Sequence, residues 1–123
     1  MTGPESKVKA AVKKLLATHG VAPIHDAADW YNRKKLPVIG CYFMPVSGGM
    51  GVHGIPDFVC TIAGRMVTIE TKAAGKNPTA LQESCMAGLR IGGGRTLVVR
   101  GDDLTELEAY LESTAKAWTG CRP

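Results

Sequence analysis

Two features that would assign a protein to a membrane or secreted class are missing from this chain. It contains no run of about 18 apolar residues, which excludes a transmembrane helix. Its start, Met-Thr-Gly-Pro-Glu followed by a lysine-rich amphipathic segment, lacks the apolar core and cleavage site of a secretory signal. We therefore expect a cytoplasmic protein with no membrane partner.

The cysteines are few and are not spaced as metal ligands. No C-x-x-C pair occurs among the four, so a zinc ribbon or an iron–sulfur cluster is not expected. We expect free, mostly buried thiols in a reducing compartment. They are Cys41, Cys60, Cys85 and Cys121.

What the chain does have is the composition of one small globular domain with an uneven charge. Its 123 residues, 45% of them apolar, are enough for one core, so residues 1–123 are expected to form a single domain. Residues 1–100 carry a net charge of +7, whereas residues 101–123 carry −3. A basic body is compatible with nucleic-acid binding, and equally with an ordinary solvated surface.

Hydrophobic periodicity and turn residues predict an α/β fold with a small mixed sheet flanked by helices, in the order αβββαβα. Residues 21–36 read as irregular, and Asp102 or Asp103 is the expected cap of the last helix. The predicted helices are Glu5 to about His19, Thr79 to about Ile91 and a C-terminal helix to about Trp118; the predicted strands are Val38–Met44, Asp57–Ile62, Arg65–Lys72 and Thr96–Val99.

Residues 57–72 predict a β-hairpin around a two-residue loop, Ala63-Gly64. In that register Phe58 faces Ile69, and the large apolar side chains gather on one face of the sheet. A slip by one residue would put these apolar side chains on the opposite, acidic face. The hydrophobic pattern therefore favours this one register.

The same register brings three charged side chains together. Asp57 lies directly opposite Glu70, and Lys72, two residues on, points to the same side. Opposed carboxylates repel each other unless a cation compensates them, and Mg²⁺ (or Mn²⁺) is suited to oxygen ligands. The backbone carbonyl of Thr71 would be a further metal ligand, and Lys72 could orient the attacking water. The alternative is a surface ion pair, Glu70–Lys72, beside an unrelated aspartate.

Other residues are candidates for contact with a nucleic-acid backbone. His53 lies in the glycine-rich loop 47–54, whose backbone amides could approach a phosphate but which lacks the lysine of a nucleotide P-loop, so no nucleotide cofactor is expected. Lys76 follows the acidic strand, and the run Arg33-Lys34-Lys35 follows two aromatic residues. For each of these residues an ordinary exposed side chain is the competing interpretation.

The pattern G-I-P-D-F … I-E-T-K … P-T-x-L-Q resembles the PD-(D/E)XK nuclease superfamily, and within it the VRR-NUC group of virus-type replication-repair nucleases. The resemblance extends from the Glu5 helix through the strand at 96–99. It implies a restriction-endonuclease-like αβββαβ core, here with an added C-terminal helix. It also implies that Asp57 and Glu70 bind the metal and that Lys72 is the catalytic lysine.

The resemblance assigns roles to two further residues that have structural alternatives. Gln82 would lie beside the active site and position water or substrate, but it also has capping-box spacing with Thr79. Glu5 matches an acidic residue that many superfamily members direct toward the metal. It could instead be an acid in a first helical turn, favoured by the helix dipole and by Lys9 at i+4.

These observations predict a Mg²⁺- or Mn²⁺-dependent DNA endonuclease, as the resemblance implies. Because one chain has one site, cutting two strands requires a homodimer, for which branched DNA such as a Holliday junction is a matching substrate. The resemblance further suggests viral replication or repair and a phage-encoded protein in the host cytoplasm. The alternatives are a catalytically silent nucleic-acid-binding module and a flap, duplex or restriction-type endonuclease.

Overall fold

The computed structural model describes residues 3–33, 37–46, 51–118 and 120, and within them the chain forms four helices and one five-stranded sheet. Its strands lie in chain order; β1/β2 and β4/β5 are parallel, and the two inner pairs are antiparallel. The predicted mixed α/β architecture is confirmed. The elements are α1 (Pro4–Thr18), β1 (Val21–Pro23), α2 (Ala27–Arg33), β2 (Gly40–Phe43), β3 (Phe58–Ile62), β4 (Arg65–Lys72), α3 (Ala80–Ile91), β5 (Arg95–Arg100) and α4 (Thr105–Ala117).

The prediction of irregular structure for residues 21–36 was wrong, because β1 and α2 lie there. β1 has three residues, too few to show an alternating pattern, and is stabilised by parallel pairing with β2 and by burial of Val21 and Ala22. None of the seven residues of α2 is buried, and the helix is shorter than the window over which helical periodicity can be recognised. Neither element leaves a periodic signal in the sequence.

The bounds of β2 and the cap of α4 also differ from the prediction. β2 is shorter than predicted, because Ile39 leaves the strand and donates its amide hydrogen to Gly20 instead. The N-cap of α4 is Leu104, which makes no capping hydrogen bond, so the predicted aspartate cap was wrong. Asp103, one residue before Leu104, accepts the amide hydrogen of Thr105. Hydrogen bonds from the side chain and, next, from the backbone of Thr105 lower the pKa of Asp103.

The predicted hairpin register is confirmed, with Phe58 paired to Ile69 and Ile62 paired to Arg65. Both loop residues have positive φ, 51° at Ala63 and 79° at Gly64, as a type I′ turn requires. That turn matches the twist of the flanking strands, which compensates for the unfavourable left-handed conformation of an alanine.

The hydrophobic core lies on the face of the sheet that α1 and α4 cover. Val8, Val12 and Leu16 recur every four residues along α1 and are buried, as are Leu107 and Leu111 of α4. They pack with the apolar side chains of the sheet, which are Phe58, Cys60, Ile62, Val67, Ile69, Leu97 and Val99.

The opposite face of β4 is buried as well. Thr68 and Glu70 alternate with the core residues along the strand, and each is only 1% exposed. α3 connects the parallel strands β4 and β5, and its one buried residue, Met86, lies outside the core cluster. A crossover helix of this kind covers the second face, and it explains why polar side chains of β4 are buried there.

The described cysteines, Cys41, Cys60 and Cys85, are free thiols, as predicted, but only Cys60 is buried, so the prediction of mostly buried thiols was wrong for this part of the chain; Cys121 lies outside the described residues. Burial raises the pKa of Cys60 to about 12, which keeps this thiol protonated and unreactive.

Candidate active site

Asp57 lies immediately before β3, where the chain enters the sheet, and two hydrogen bonds fix its carboxylate. Its Oδ2 accepts the amide hydrogen of Thr71 at 2.9 Å and the hydroxyl hydrogen of the same threonine at 2.6 Å. Thr71 is fully buried, so this orientation is set inside the protein. The second carboxylate oxygen of Asp57, Oδ1, is not hydrogen-bonded to Thr71 and can contact other groups.

Glu70 is the most buried charged residue of the described chain, with 1% of its surface exposed. Its Oε1 accepts the amide hydrogen of Asp57 at 3.2 Å, and its Oε2 lies 3.6 Å from Nζ of Lys72. The side chain of Lys72 is itself only 12% exposed. These contacts bring the three predicted residues together at one end of β3 and β4.

The arrangement of the acids differs in detail from the prediction. The β ladder ends at the Phe58–Ile69 pair, one residue before the expected pairing of Asp57 with Glu70. The carboxylate of Asp57 binds Thr71, and Glu70 binds the backbone of Asp57 rather than standing opposite its side chain. The carboxylates still repel each other, which is visible in the pKa of Glu70.

Burial, and next the negative charge of Asp57, raise the pKa of Glu70 to about 7. Lys72 and the hydrogen bond from Asp57 oppose this shift without cancelling it. A carboxyl with this pKa holds a proton over much of the pH range in which an exposed glutamate is ionised. A cation that binds both acids would stabilise the ionised form in place of the proton.

Two side chains that contact Asp57 at the site were not predicted to do so. Lys9 of α1 places its Nζ 3.8 Å from Oδ1 of Asp57. The sequence signal for it is its position beside Val8, at the border of the buried stripe of α1. The hydroxyl of Thr71 was also missed, since only its backbone carbonyl was considered. Its signal is the strand alternation, which puts a polar Thr71 among buried residues, where it needs a hydrogen-bond partner.

The two residues to which the resemblance gave supporting roles have other contacts. Gln82 forms the capping box with Thr79. The side-chain oxygen Oε1 of Gln82 accepts the backbone amide hydrogen of Thr79 at 2.8 Å, and the backbone amide of Gln82 donates to the threonine hydroxyl at 3.2 Å. Glu5 is exposed, and within the described ranges no hydrogen bond or ion pair joins it to Asp57 or Glu70. Lys9, one turn further along α1, is the residue of this helix that contacts the acids.

The predicted phosphate contacts lie on the surface. His53 is exposed, and its carbonyl oxygen accepts a hydrogen bond from the thiol of Cys85, which ties the loop before Asp57 to α3. Lys76 is exposed, and its carbonyl oxygen accepts a hydrogen bond from Arg100.

The predicted basic run after the two aromatic residues is described only in part. Arg33 is paired with Asp29, one turn earlier on α2, at 3.0 Å. Lys34 and Lys35 lie outside the described residues.

The donor atoms at this site fit a hard divalent cation. The two ammonium groups lie 3.6 and 3.8 Å from the carboxylate oxygens, longer than a direct hydrogen bond, so they compensate the charge without saturating the acids. Two carboxylates with open coordination positions suit Mg²⁺ or Mn²⁺, which retains water molecules when bound. The backbone carbonyl of Thr71 stays a predicted third ligand.

Two other features lie apart from these residues. His19, Glu108 and Glu112 bring a nitrogen and two carboxylate oxygens within 4.8 Å of one another between α1 and α4, on an open surface where such groups are common without a metal. An apolar groove of about 540 Å³ lies between α2, β2 and Trp118, and none of its lining residues belongs to the acid site.

Comparison of the chain with protein-family models, with curated proteins and with solved structures gives no match. The resemblance to the PD-(D/E)XK superfamily therefore stays a prediction from the motif. Along the described residues, the helices all lack the length or the apolar character needed to cross a bilayer.

Proposed function

We propose that this chain is a Mg²⁺- or Mn²⁺-dependent endonuclease that hydrolyses DNA phosphodiester bonds, of the PD-(D/E)XK type and similar to its VRR-NUC group. The observation that supports this most is the joint placement of Asp57, Glu70 and Lys72 at one end of β3 and β4, with the glutamate buried. Burial of an acid beside a second acid costs free energy, which a fold tolerates where a site needs it.

Each residue has a chemical task in this proposal. Asp57 and Glu70 would hold the cation, which when bound supplies a water of lowered pKa and stabilises charge on the phosphate oxygens. Thr71 keeps the Asp57 carboxylate in one orientation through its hydroxyl. Lys72, held 3.6 Å from Glu70, would orient the attacking water and offset negative charge that develops at phosphorus.

The basic body of the chain supports a nucleic acid as the substrate, because residues 1–100 carry a net charge of +7. The described part of the chain carries one acid site of this kind, so symmetric cutting of two strands would require a homodimer. We therefore propose branched DNA, such as a four-way junction, as the substrate. The resemblance to the VRR-NUC group, and not the charge or the symmetry, is the basis for proposing a role in viral replication or repair in the cytoplasm of the host.

A cleavage assay tests the proposed function. Purified protein is incubated with end-labelled four-way junction, flap and linear duplex of one sequence, in Mg²⁺ and in EDTA. The same assay is run with Asp57→Asn and with Asp102→Asn, an exposed aspartate in the loop before α4, as the matched control. We expect Mg²⁺-dependent cuts that Asp57→Asn abolishes and the control retains.

The outcomes of this assay separate the chemistry from the substrate. Paired cuts confined to the junction support the whole proposal. Metal-dependent cutting of flap or duplex alone supports the chemistry and overturns the choice of substrate. Salt-sensitive binding without cleavage of any substrate would identify the silent binding module instead.

A further inference from the structure

An ion pair between Lys9 and Asp57 joins α1 to the acid site. Lys9 approaches the one Asp57 oxygen that Thr71 does not hold, at 3.8 Å. Its side chain is 37% exposed, so the ammonium group borders both the acid site and the solvent. A lysine in this position can turn between the two, because its four-carbon chain is flexible and its charge is compact.

With both acids ionised, the site is formally neutral before a cation binds. Lys72 lies beside Glu70 on one side, and Lys9 lies beside Asp57 on the other. A divalent cation on the two carboxylates would change the formal charge of the four groups to +2. The cation would then repel both ammonium groups, and the more exposed one, Lys9, can move toward the solvent.

This inference rests on the proposed function. We propose that Lys9 is a counter-ion of the acid site in the metal-free protein and a phosphate-binding residue in the metal-bound protein. In the metal-free protein its ammonium group neutralises Asp57 and competes with the cation. In the loaded protein the same group binds a non-bridging oxygen of the DNA backbone that enters the site. Lys9 and Lys72 would then flank the phosphate from two elements, α1 and β4.

This proposal predicts effects of opposite sign from one substitution. Lys9→Met keeps the apolar length of the side chain but removes the competing charge, so we expect Mn²⁺ to bind roughly threefold to tenfold more tightly. The same substitution removes one phosphate contact, so DNA affinity should fall and the slope of log affinity against log salt should decrease by about 1. If Lys9 had only a structural role, Lys9→Met would weaken both Mn²⁺ binding and DNA binding.

The experiment measures Mn²⁺ binding by electron paramagnetic resonance and DNA binding by fluorescence anisotropy at several salt concentrations. All proteins carry Glu112→Gln, which removes one donor of the His19–Glu108–Glu112 group and thereby a competing Mn²⁺ site. Lys7→Met, an exposed lysine on the same helix, is the matched control, and Lys9→Arg keeps the charge. We expect tighter Mn²⁺ binding and weaker DNA binding for Lys9→Met only, with Lys9→Arg close to the parent.

The proposal is overturned if Lys9→Met and Lys7→Met have the same Mn²⁺ affinity and the same salt dependence. It is also overturned if Lys9→Met loses both affinities together while Lys9→Arg retains them. Failure of the proposed function gives a different result: the parent protein itself neither binds Mn²⁺ in a manner sensitive to Asp57→Asn nor cleaves DNA.

Discussion

Glu70→Gln removes a titratable group from the buried centre of the candidate site and keeps an oxygen able to accept the amide hydrogen of Asp57. Burial, and then the charge of Asp57, raise the pKa of Glu70 from its ordinary value of 4.5 to about 7. Since the folded-state pKa lies above the unfolded one, the stability that Glu70 contributes is fully present below pH 4.5 and is lost as the pH rises through about 7.

The size of this effect follows from the two pKa values. Each pKa unit corresponds to about 1.4 kcal/mol, so ionisation of Glu70 should lower the free energy of unfolding of the metal-free protein by about 3 kcal/mol well above neutral pH. Glutamine cannot ionise. Between acid and mildly alkaline pH, the free energy of unfolding of the variant should therefore rise by about 3 kcal/mol relative to that of the wild type.

Urea unfolding in EDTA, followed by circular dichroism across this pH range, measures the difference. Glu83→Gln, a substitution of an exposed glutamate on α3, is the control and should show the pH dependence of the wild type. If Glu70→Gln and the wild type lose stability in parallel as the pH rises, Glu70 does not titrate with a raised pKa and the reasoning is refuted.

Three further substitutions test other parts of the structure. Thr68 has a buried hydroxyl with no hydrogen-bond partner in the described chain, so Thr68→Val should raise the free energy of urea unfolding by about 1 kcal/mol; a loss would contradict this. A Cβ on Gly40 would lie 2.1 Å from the carbonyl oxygen of Thr61, so Gly40→Ala should cost about 2–3 kcal/mol in the same assay, and an unchanged midpoint would argue against this close approach. Thr71→Val removes the hydroxyl that holds Asp57 and should slow Mg²⁺-dependent cleavage by about 10-fold to 100-fold; wild-type rates would show that this hydrogen bond is not needed.

The parts of the fold that the sequence predicts are those with a periodic signal. The register of the hairpin was predictable because only one register buries Phe58 and Ile69 on one face. β1 and α2 were not predictable, because β1 is too short to alternate and α2 buries no residue. β1 is stabilised by pairing with β2, and α2 packs against β1, so neither element depends on a periodic pattern of its own.

In the candidate site, too, the contacts that follow from local structure were predictable, and those that depend on tertiary packing were not. The meeting of Asp57, Glu70 and Lys72 follows from the strand alternation and from the turn, both of which are local. The contact of Lys9 depends on how α1 packs across the sheet, and the Thr71 hydrogen bond depends on the bend that ends the ladder before Asp57. Spacing indicates that Lys9 and Thr71 border buried positions, but it does not specify which group each of them contacts.

The glutamine on α3 shows a limit of motif reasoning. The spacing of Thr79 and Gln82 is equally suited to a capping box and to a residue that positions substrate, and the structure contains the capping box. The side-chain oxygen of Gln82 accepts a hydrogen bond in the cap, whereas its side-chain nitrogen takes no part in the cap and is available for a role in the site.

If Asp57, Glu70 and Lys72 form a hydrolytic centre, loss of the lysine charge must slow the chemical step, and the single-turnover cleavage rate of Lys72→Met measures that step. The assay uses the DNA that the wild type cuts fastest, with Lys116→Met, an exposed lysine on α4, as the control. We predict a rate about 10²–10³-fold below the wild type with Mn²⁺ binding retained, while the control cuts normally. Cleavage by Lys72→Met at the wild-type rate would show that the acid pair and its lysine do not form a hydrolytic centre.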